Sequence, residues 1–330
     1  MKKWTAFWII AALSLTLMGC GQSTHDAPAA TEPPAAKEST PAPTEDPSEA
    51  VYEAALEALA QEDWGTAYGL FAQAGNYEDA AEYLGRFTVV EDVLLMRQVA
   101  YQLSGGSGTT VYHYTPDGLL AYVENAGPVG YEMSWEPENI SGSRVEYAYS
   151  QGGLLEKVSA YNIRFNQITQ EPEELLVEER AYTYDDAGRL AEVENSYGSG
   201  FETSVETGRT EPTRIEKTWY NMFYDAEGRL ERVLKRVDHN SMEIQMKFTY
   251  DEAGNLVNVS SGSDNYDYIY DESGYLIETS SDDGLTRVCT FAYDTQGRLA
   301  TATCDYPDED NIDPRQFTYK YGTYYQYNAE

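Results

Sequence analysis

The chain has 330 residues, with 56 Asp and Glu against 22 Lys and Arg, a formal net charge of −34 at pH 7. That charge excludes nucleic-acid backbones and anionic lipid surfaces as main partners, because their phosphates are repelled at long range. The 29 tyrosines, beside 9 Phe, 5 Trp and 3 His, favour pleated, half-buried surfaces, and a hydrophobic content of 42% excludes wholesale disorder.

Lys2 and Lys3 precede an apolar run from Trp4 to Leu17 that ends in Leu17-Met18-Gly19-Cys20. A basic start, a short apolar stretch and small residues before a cut site predict a secretory signal over residues 1–19. The ending resembles the bacterial lipobox. That resemblance implies that Cys20 carries a diacylglyceryl group, becomes the first mature residue and anchors an exported chain to the outside of the bacterial cell membrane. A plain secretory signal that happens to contain Cys is the alternative. Residues 20–47 follow, with Pro28, Pro33, Pro34, Pro41, Pro43 and Pro47 among Ala, Thr, Ser and Glu; this composition predicts an extended, disordered spacer.

Residues 48–96 are expected to form a small helical module. Val51, Ala54, Ala55, Leu56, Ala58 and Leu59 recur at helical intervals, a second helix starts near Trp64, and Gly75-Asn76 separates it from a third around Ala80 to Leu84. The pattern Trp64-Gly65-x-x-Tyr68-x-x-Phe71 followed by Tyr77-x-x-Ala80 resembles a degenerate tetratricopeptide unit. One unit cannot make a stacked array, so the module is read as a cap or spacer, with a peptide-binding groove as the alternative.

Residues 97–330 carry an internal repeat, Tyr-x-x-x-Gly-x-Leu. Its copies are Tyr114, Gly118, Leu120; Tyr149, Gly153, Leu155; Tyr184, Gly188, Leu190; Tyr224, Gly228, Leu230; Tyr250, Gly254, Leu256; Tyr270, Gly274, Leu276; and Tyr293, Gly297, Leu299. Asp follows Tyr in five copies, as Asp185, Asp225, Asp251, Asp271 and Asp294. The Asp side chain can accept from the amide two residues on and open a type I turn, and Gly supplies the left-handed residue that returns the chain. Alternation on both sides of the turn makes each copy an antiparallel hairpin. A lone hairpin is marginal, so the copies are expected to pair in series into a sheet of about fourteen or more strands. Extra strand material is expected at 159–168 and 175–184, and Thr318 to Tyr327 reads as a closing strand. The fold class is therefore mainly β: an antiparallel meander of hairpins forming a large twisted or partly coiled sheet, preceded by a small α-helical module.

The fullest copies, Tyr184-Asp185-Asp186-Ala187-Gly188-Arg189-Leu190 and Tyr293-Asp294-Thr295-Gln296-Gly297-Arg298-Leu299, resemble the YD repeat of RHS and teneurin-type shells and of short bacterial surface lipoproteins. The resemblance covers about residues 109 to 321 and implies the sheet and the export. In large family members the hairpins spiral into a hollow shell around a toxin. Here the repeats read as too few to close such a shell, and no self-cleaving module or toxin domain is seen after them, which leaves the cargo function in doubt.

Catalytic residues are not expected. The repeated Asp residues stand where turn geometry demands them, His25 lies in the spacer, His113 alternates with Tyr112 and Tyr114 in a strand, and His239 sits in a polar turn. The sequence shows no nucleophile elbow, zinc-helix motif or phosphate-cradling glycine loop, so no cofactor and no metal is expected. Asp305, Asp308, Glu309, Asp310 and Asp313 crowd one loop without EF-hand spacing and read as solvated. Cys289 and Cys304 flank the last hairpin. Counting outward from a three-residue turn faces Cys289 with Thr303, which predicts two thiols, and a bridge only if an extra bulge shifts the register by one.

The sequence thus reads as a non-enzymatic, lipid-anchored surface protein whose repeat sheet is a scaffold or adhesion surface. A cell-wall or carbohydrate-binding module using exposed Tyr residues is the alternative, and an enzyme of unknown class comes third. Expected partners are the membrane through Cys20 and another surface protein or a cell-wall glycan.

Overall fold

Alanines at helical spacing need aromatic rings to fill between them, and the helical unit is built that way. A computed structural model describes residues 47–127, 133, 135–238, 243–262, 264–282, 286–309 and 312–329; the signal, Cys20 and all of the spacer before Pro47 lie outside them. Helices α1 (Pro47–Ala60), α2 (Trp64–Ala74) and α3 (Ala80–Gly85) come first. The Asp63 side chain accepts from the Thr66 amide and caps α2, and Gly75, at φ 67°, ends it. Ala55, Ala67, Ala80 and Phe71 are fully buried, and Tyr83 stacks on Phe71 with centroids 4.6 Å apart. The same unit includes the segments up to Val89 and from Tyr324, where Phe87 and Tyr325 lie 5.5 and 5.3 Å from the Tyr68 ring. The first strand thus starts at Phe87, inside the stretch 48–96.

Sixteen strands follow: β1 Phe87–Tyr101, β2 Ser107–Tyr114, β3 Leu120–Ala126, β4 Gly142–Tyr149, β5 Leu155–Asn166, β6 Glu171–Tyr184, β7 Leu190–Thr203 and β8 Thr210–Tyr224. Then come β9 Leu230–Val237, β10 Glu243–Tyr250, β11 Leu256–Ser261, β12 Asp264–Tyr270, β13 Leu276–Asp282, β14 Thr286–Tyr293, β15 Leu299–Asp305 and β16 Arg315–Tyr327. Each motif Tyr ends a strand and each motif Leu begins the next, so the seven repeats are the hairpins from β2/β3 to β14/β15. The expected closing strand is β16.

The sheet is a closed barrel in which every strand neighbours the next and β1 lies between β2 and β16. This is more specific than the large twisted or partly coiled sheet expected from the repeats. The two strands that complete the ring, β1 and β16, carry no repeat motif, so a count of repeats leaves them out. Closure removes the exposed edges that an open sheet of this length would present.

Alternation gives the barrel two faces. Val145, Val158, Val193, Val233 and Val259 are fully buried on the inner face, in one cluster with Tyr182, Tyr220 and Met222. The outer face carries polar cross-strand pairs: Lys157 to Glu179 (3.3 Å), Lys217 to Glu194, and Asn258 to Asp267 (2.7 Å). Arg236 lies 4.8 Å from the Trp219 ring on that side. A charged ladder of this kind suits water, whereas a barrel in lipid turns an apolar band outward.

Candidate functional site

The repeat motif forms a device in which each part has a measurable partner. In the third copy the Asp185 amide donates to the Arg189 carbonyl and the Gly188 amide to the Asp185 carbonyl. Asp185 Oδ1 accepts from the amides of Ala187 and Arg189, both at 2.9 Å, and Oδ2 accepts from Arg189 Nε at 2.8 Å. Those bonds, the Arg189 side chain first, hold the Asp185 carboxyl below its ordinary pKa. Gly188 has φ 74°, and the other six motif glycines have φ between 78° and 88°, a region that costs an L-residue roughly 1–2 kcal/mol.

Two further parts link one repeat to its neighbour. The hydroxyls of Tyr184, Tyr224, Tyr250 and Tyr293 donate to the carbonyls of Leu155, Leu190, Leu230 and Leu276, each the motif Leu of the preceding hairpin, at 2.7–2.8 Å. Tyr114, in the first repeat, donates instead to Leu94 of β1 at 2.7 Å. The motif Arg reaches over the next ring: Arg189 lies 4.4 Å from the Tyr224 ring and Arg229 lies 5.0 Å from that of Tyr250. Arg298 covers Tyr321 of β16 at 4.5 Å. Tyrosine, rather than Phe, is thus required by a hydroxyl that stitches hairpins together. Replacing Tyr224 by Phe is expected to cost about 1 kcal/mol and to lower the thermal midpoint by a few degrees, read by calorimetry; an unchanged midpoint would deny the latch its role.

The same hairpins explain the cysteines, and here the two-thiol expectation is corrected. Tyr293 pairs with Leu299, but Ala292 pairs with Thr301, so Ala300 is an extra residue and the register moves by one. Cys289 then faces Cys304, with Cα atoms 4.0 Å apart, and the two form a disulfide. The shift recurs directly before the motif Tyr in all seven hairpins. Both cysteines are fully buried, with Phe291, Leu299, Ala302 and Phe317 in their cluster. Changing both to Ala is expected to cost about 2–3 kcal/mol, chiefly through the freed unfolded chain. Alkylation without reductant should leave both residues unlabelled in the parent protein.

Between β3 and β4, residues 135–140 lie against the inside of the barrel. Trp135 and Ile140 are buried in the inner cluster, and the Trp135 ring lies 5.8 Å from Tyr220 of β8 and 6.0 Å from Phe248 of β10. Arg180 of β6, 3% exposed, holds this segment: its two terminal nitrogens donate to the carbonyls of Glu136 and Asn139, both at 2.6 Å, and Nε donates to Glu178 at 2.9 Å. Arg97 of β1 donates to the Gly127 carbonyl. Burial, with Glu138 adding to it, pushes the Glu136 carboxyl up to about 8, and the protein around Glu138 raises that carboxyl to about 7. Tyr147 and Tyr182 are pushed up by burial as well.

General acid–base chemistry needs two groups whose environments oppose each other, one driven up and one held down. Glu136 and Glu138 are driven the same way. Burial keeps Glu136 protonated at neutral pH beside tyrosines that burial also keeps neutral, while Glu138 is raised less far and still meets solvent. Neither this segment nor Arg180 stood out in the sequence; the available signal was an inward Glu178-x-Arg180-x-Tyr182 alternation in a strand otherwise lined by apolar residues.

The remaining sequence candidates are scattered. His113 stacks on Tyr122 on the outer face with centroids 4.1 Å apart, 3.5 Å from Glu124, and burial lowers its pKa. Asp313 is a turn anchor whose carboxylate accepts from the amides of Leu103 (2.6 Å) and Ser104 (2.9 Å). Asp305, Asp308 and Glu309 end β15 and enter the following turn; among the described residues no three His, Cys, Asp or Glu side chains gather closely enough to hold a metal. His25, His239, Asp310 and Cys20 lie outside the described residues.

A closed barrel of latched Tyr-Asp-Gly-Leu hairpins defines a repeat scaffold. The teneurin YD-shell family model matches residues 126–329, and the chain belongs to that family. No curated protein matches it. Among solved structures it is similar to a chain in the crystal structure of TcdB2-TccC3-Cdc42, at 13% identity and TM-score 0.23, covering 60% of this chain and 12% of that one. The Photorhabdus luminescens Tc holotoxin pore matches at 13% identity and TM-score 0.23, covering 63% and 12%. A porin-like protein from Bacteroides uniformis matches at 10% identity and TM-score 0.31, covering 69% and 97%. The chain spans about an eighth of the two toxin-complex chains.

Proposed function

We propose that this protein is exported, anchored to the outside of the bacterial membrane through lipid on Cys20, and acts without catalysis as a rigid scaffold that presents its outer barrel surface to other surface proteins. One observation carries this reading: the segment around Trp135 to Ile140, held by Arg180, packs into the inner cluster, while the outer face is laid out in charged and polar cross-strand pairs that a partner can meet. The tyrosines support it. Tyr147, Tyr182, Tyr220 and Tyr268 pack in or against the inner cluster instead of forming an open aromatic platform for sugar rings. The lipobox pattern at Leu17 to Cys20 supports the anchor.

Growth of a bacterial host with an alkyne-tagged fatty acid tests the anchor. Label on the parent chain, lost in Cys20→Ala, is the expected result, and equal labelling of both would sink it. Crosslinking on intact cells should then capture defined surface proteins. Reproducible glycan binding lost on Tyr→Ala changes would replace the scaffold reading with the carbohydrate one.

A further inference from the structure

Two hairpins outgrow the rest of the barrel. The β6–β7 ladder ends at Glu178 and Tyr197, yet β5–β6 runs on to Asn166 and Glu171, and β7–β8 runs on to Thr203 and Thr210. The two ribbons are pinned together on their facing sides. Glu173 accepts from the Thr210 amide (3.2 Å) and hydroxyl (2.7 Å), and Asn166 donates to the Gly208 carbonyl (2.7 Å). Leu175, 6% exposed, and Asn166, 3% exposed, face this seam.

The opposite face of the β5–β6 ribbon is mostly apolar and uncovered, with Glu174 across from Ile163. Ile163 is 60% exposed, Phe165 55% and Leu176 42%, and Pro172 stands across from Phe165. Alternation puts all four on one side. Leu176 also borders a shallow cleft of about 350 Å³ with Phe201 and Pro212.

The strand edge beside this face is open. β4 starts at Gly142, and its ladder with β5 stops at Arg144 and Tyr161. The Ile163 amide points to that side, where Ser143 Oγ accepts it at 3.3 Å. Phe165, two residues on, aims its N–H and C=O the same way. Among the described residues no strand pairs with Ile163 to Asn166 on that side. Proteins blunt such edges with charge, proline or a cover; here the inward Arg164 is turned toward the Phe201 carbonyl at 3.5 Å.

We infer that the edge of β5 beyond the Ser143 contact, from the Ile163 carbonyl to Asn166, takes an added strand from a cationic partner protein, an extended segment with apolar side chains at alternate positions. Main-chain hydrogen bonds to Phe165 supply the register, and Ile163, Phe165, Pro172 and Leu176 receive the alternate side chains. Charge selects the partner. The chain carries −34, and Glu174 stands within the strip opposite Ile163, so a second copy or an acidic segment is repelled while a Lys- or Arg-rich one is drawn in. The inference rests on the scaffold reading and gives the class of partner.

The test uses the full chain and a fluorescent ten-residue peptide of alternating Lys and Val, read by anisotropy. Saturable binding is expected, with at least tenfold loss for Phe165→Pro, which removes an outward N–H, and for Ile163→Lys, which leaves the ladder untouched. The same peptide N-methylated along one edge, and an alternating Glu and Val peptide, should bind at least tenfold more weakly. Absence of binding, equal binding of the N-methylated peptide, or unchanged affinity in both variants overturns the proposal. Self-association abolished by Phe165→Pro overturns it too, since the edge would then belong to a second copy. Loss of peptide binding with fatty-acid labelling intact removes this edge alone; loss of labelling with binding intact removes only the anchor.

Discussion

Replacing Arg180 by Met should destabilise the barrel by about 3–5 kcal/mol, a fall of roughly 10 °C in the thermal midpoint for a unit of this size. Methionine restores most of the side-chain volume, so the loss is not one of packing. It comes from what Arg180 satisfies. Glu178, whose side chain is 14% exposed, would keep a charge without its partner at 2.8 Å. The carbonyls of Glu136 and Asn139 would lose their donors as well. Pairing the change with Glu178→Met should recover much of the loss, because a buried ion pair costs most when half of it is removed. Hydrogen exchange should report faster opening of residues 135–141 in the single variant. A single variant as stable as the parent would mean that the inner segment is held by Trp135 and Ile140 alone.

Sequence and structure agree best where one residue type has one backbone task. Tyr-Asp-x-x-Gly-x-Leu was readable because only Gly suits φ near 80° and only a short acceptor caps that turn. Closure was not readable, because β1 and β16 have ordinary strand composition and no motif. The register of the cysteines was missed for a more instructive reason. Leu155 and Val158, Leu256 and Val259, and Leu299 and Ala302 are all buried, yet each pair is three apart. A regular strand would put them on opposite faces, so the recurring three-residue step already encodes an extra residue in every hairpin. Applied to the last hairpin, that step brings Cys304 opposite Cys289. The inner segment was hidden differently, since Trp135 and Ile140 sit in a stretch without periodicity.

Stability should be greatest near pH 4–5 and fall as the pH rises to 8, the reverse of what an acidic surface protein with lowered Asp pKa values alone would do. Glu136 is the cause. In the folded barrel it keeps its proton up to about pH 8, while the unfolded chain releases it near the ordinary 4.5. The folded state therefore binds the extra proton throughout that interval, and each unit of rising pH favours unfolding. Over the whole window the effect is about 4 kcal/mol. Glu138 acts in the same direction up to about pH 7, and less strongly because its side chain still meets solvent. Arg180 lowers both carboxyls, but its charge is already engaged by Glu178. Tyr268, across the interior, stays neutral throughout this range because burial raises its pKa. Below about pH 4 the sign changes. Asp185, Asp251 and Asp294 are held below their ordinary value, by hydrogen bonds from Arg189, Asn255 and Arg298 respectively, so the stability they add is lost as they protonate. Glu136→Gln copies the protonated acid and can still accept the Met133 amide, which the carboxyl now takes at 2.9 Å. The variant should match the parent at pH 5 and exceed it at pH 8 by close to 10 °C in thermal midpoint. Parallel stability curves for the two proteins between pH 5 and 8 would show that Glu136 ionises freely, and that the interior around Arg180 is wet enough to hold a charged carboxylate.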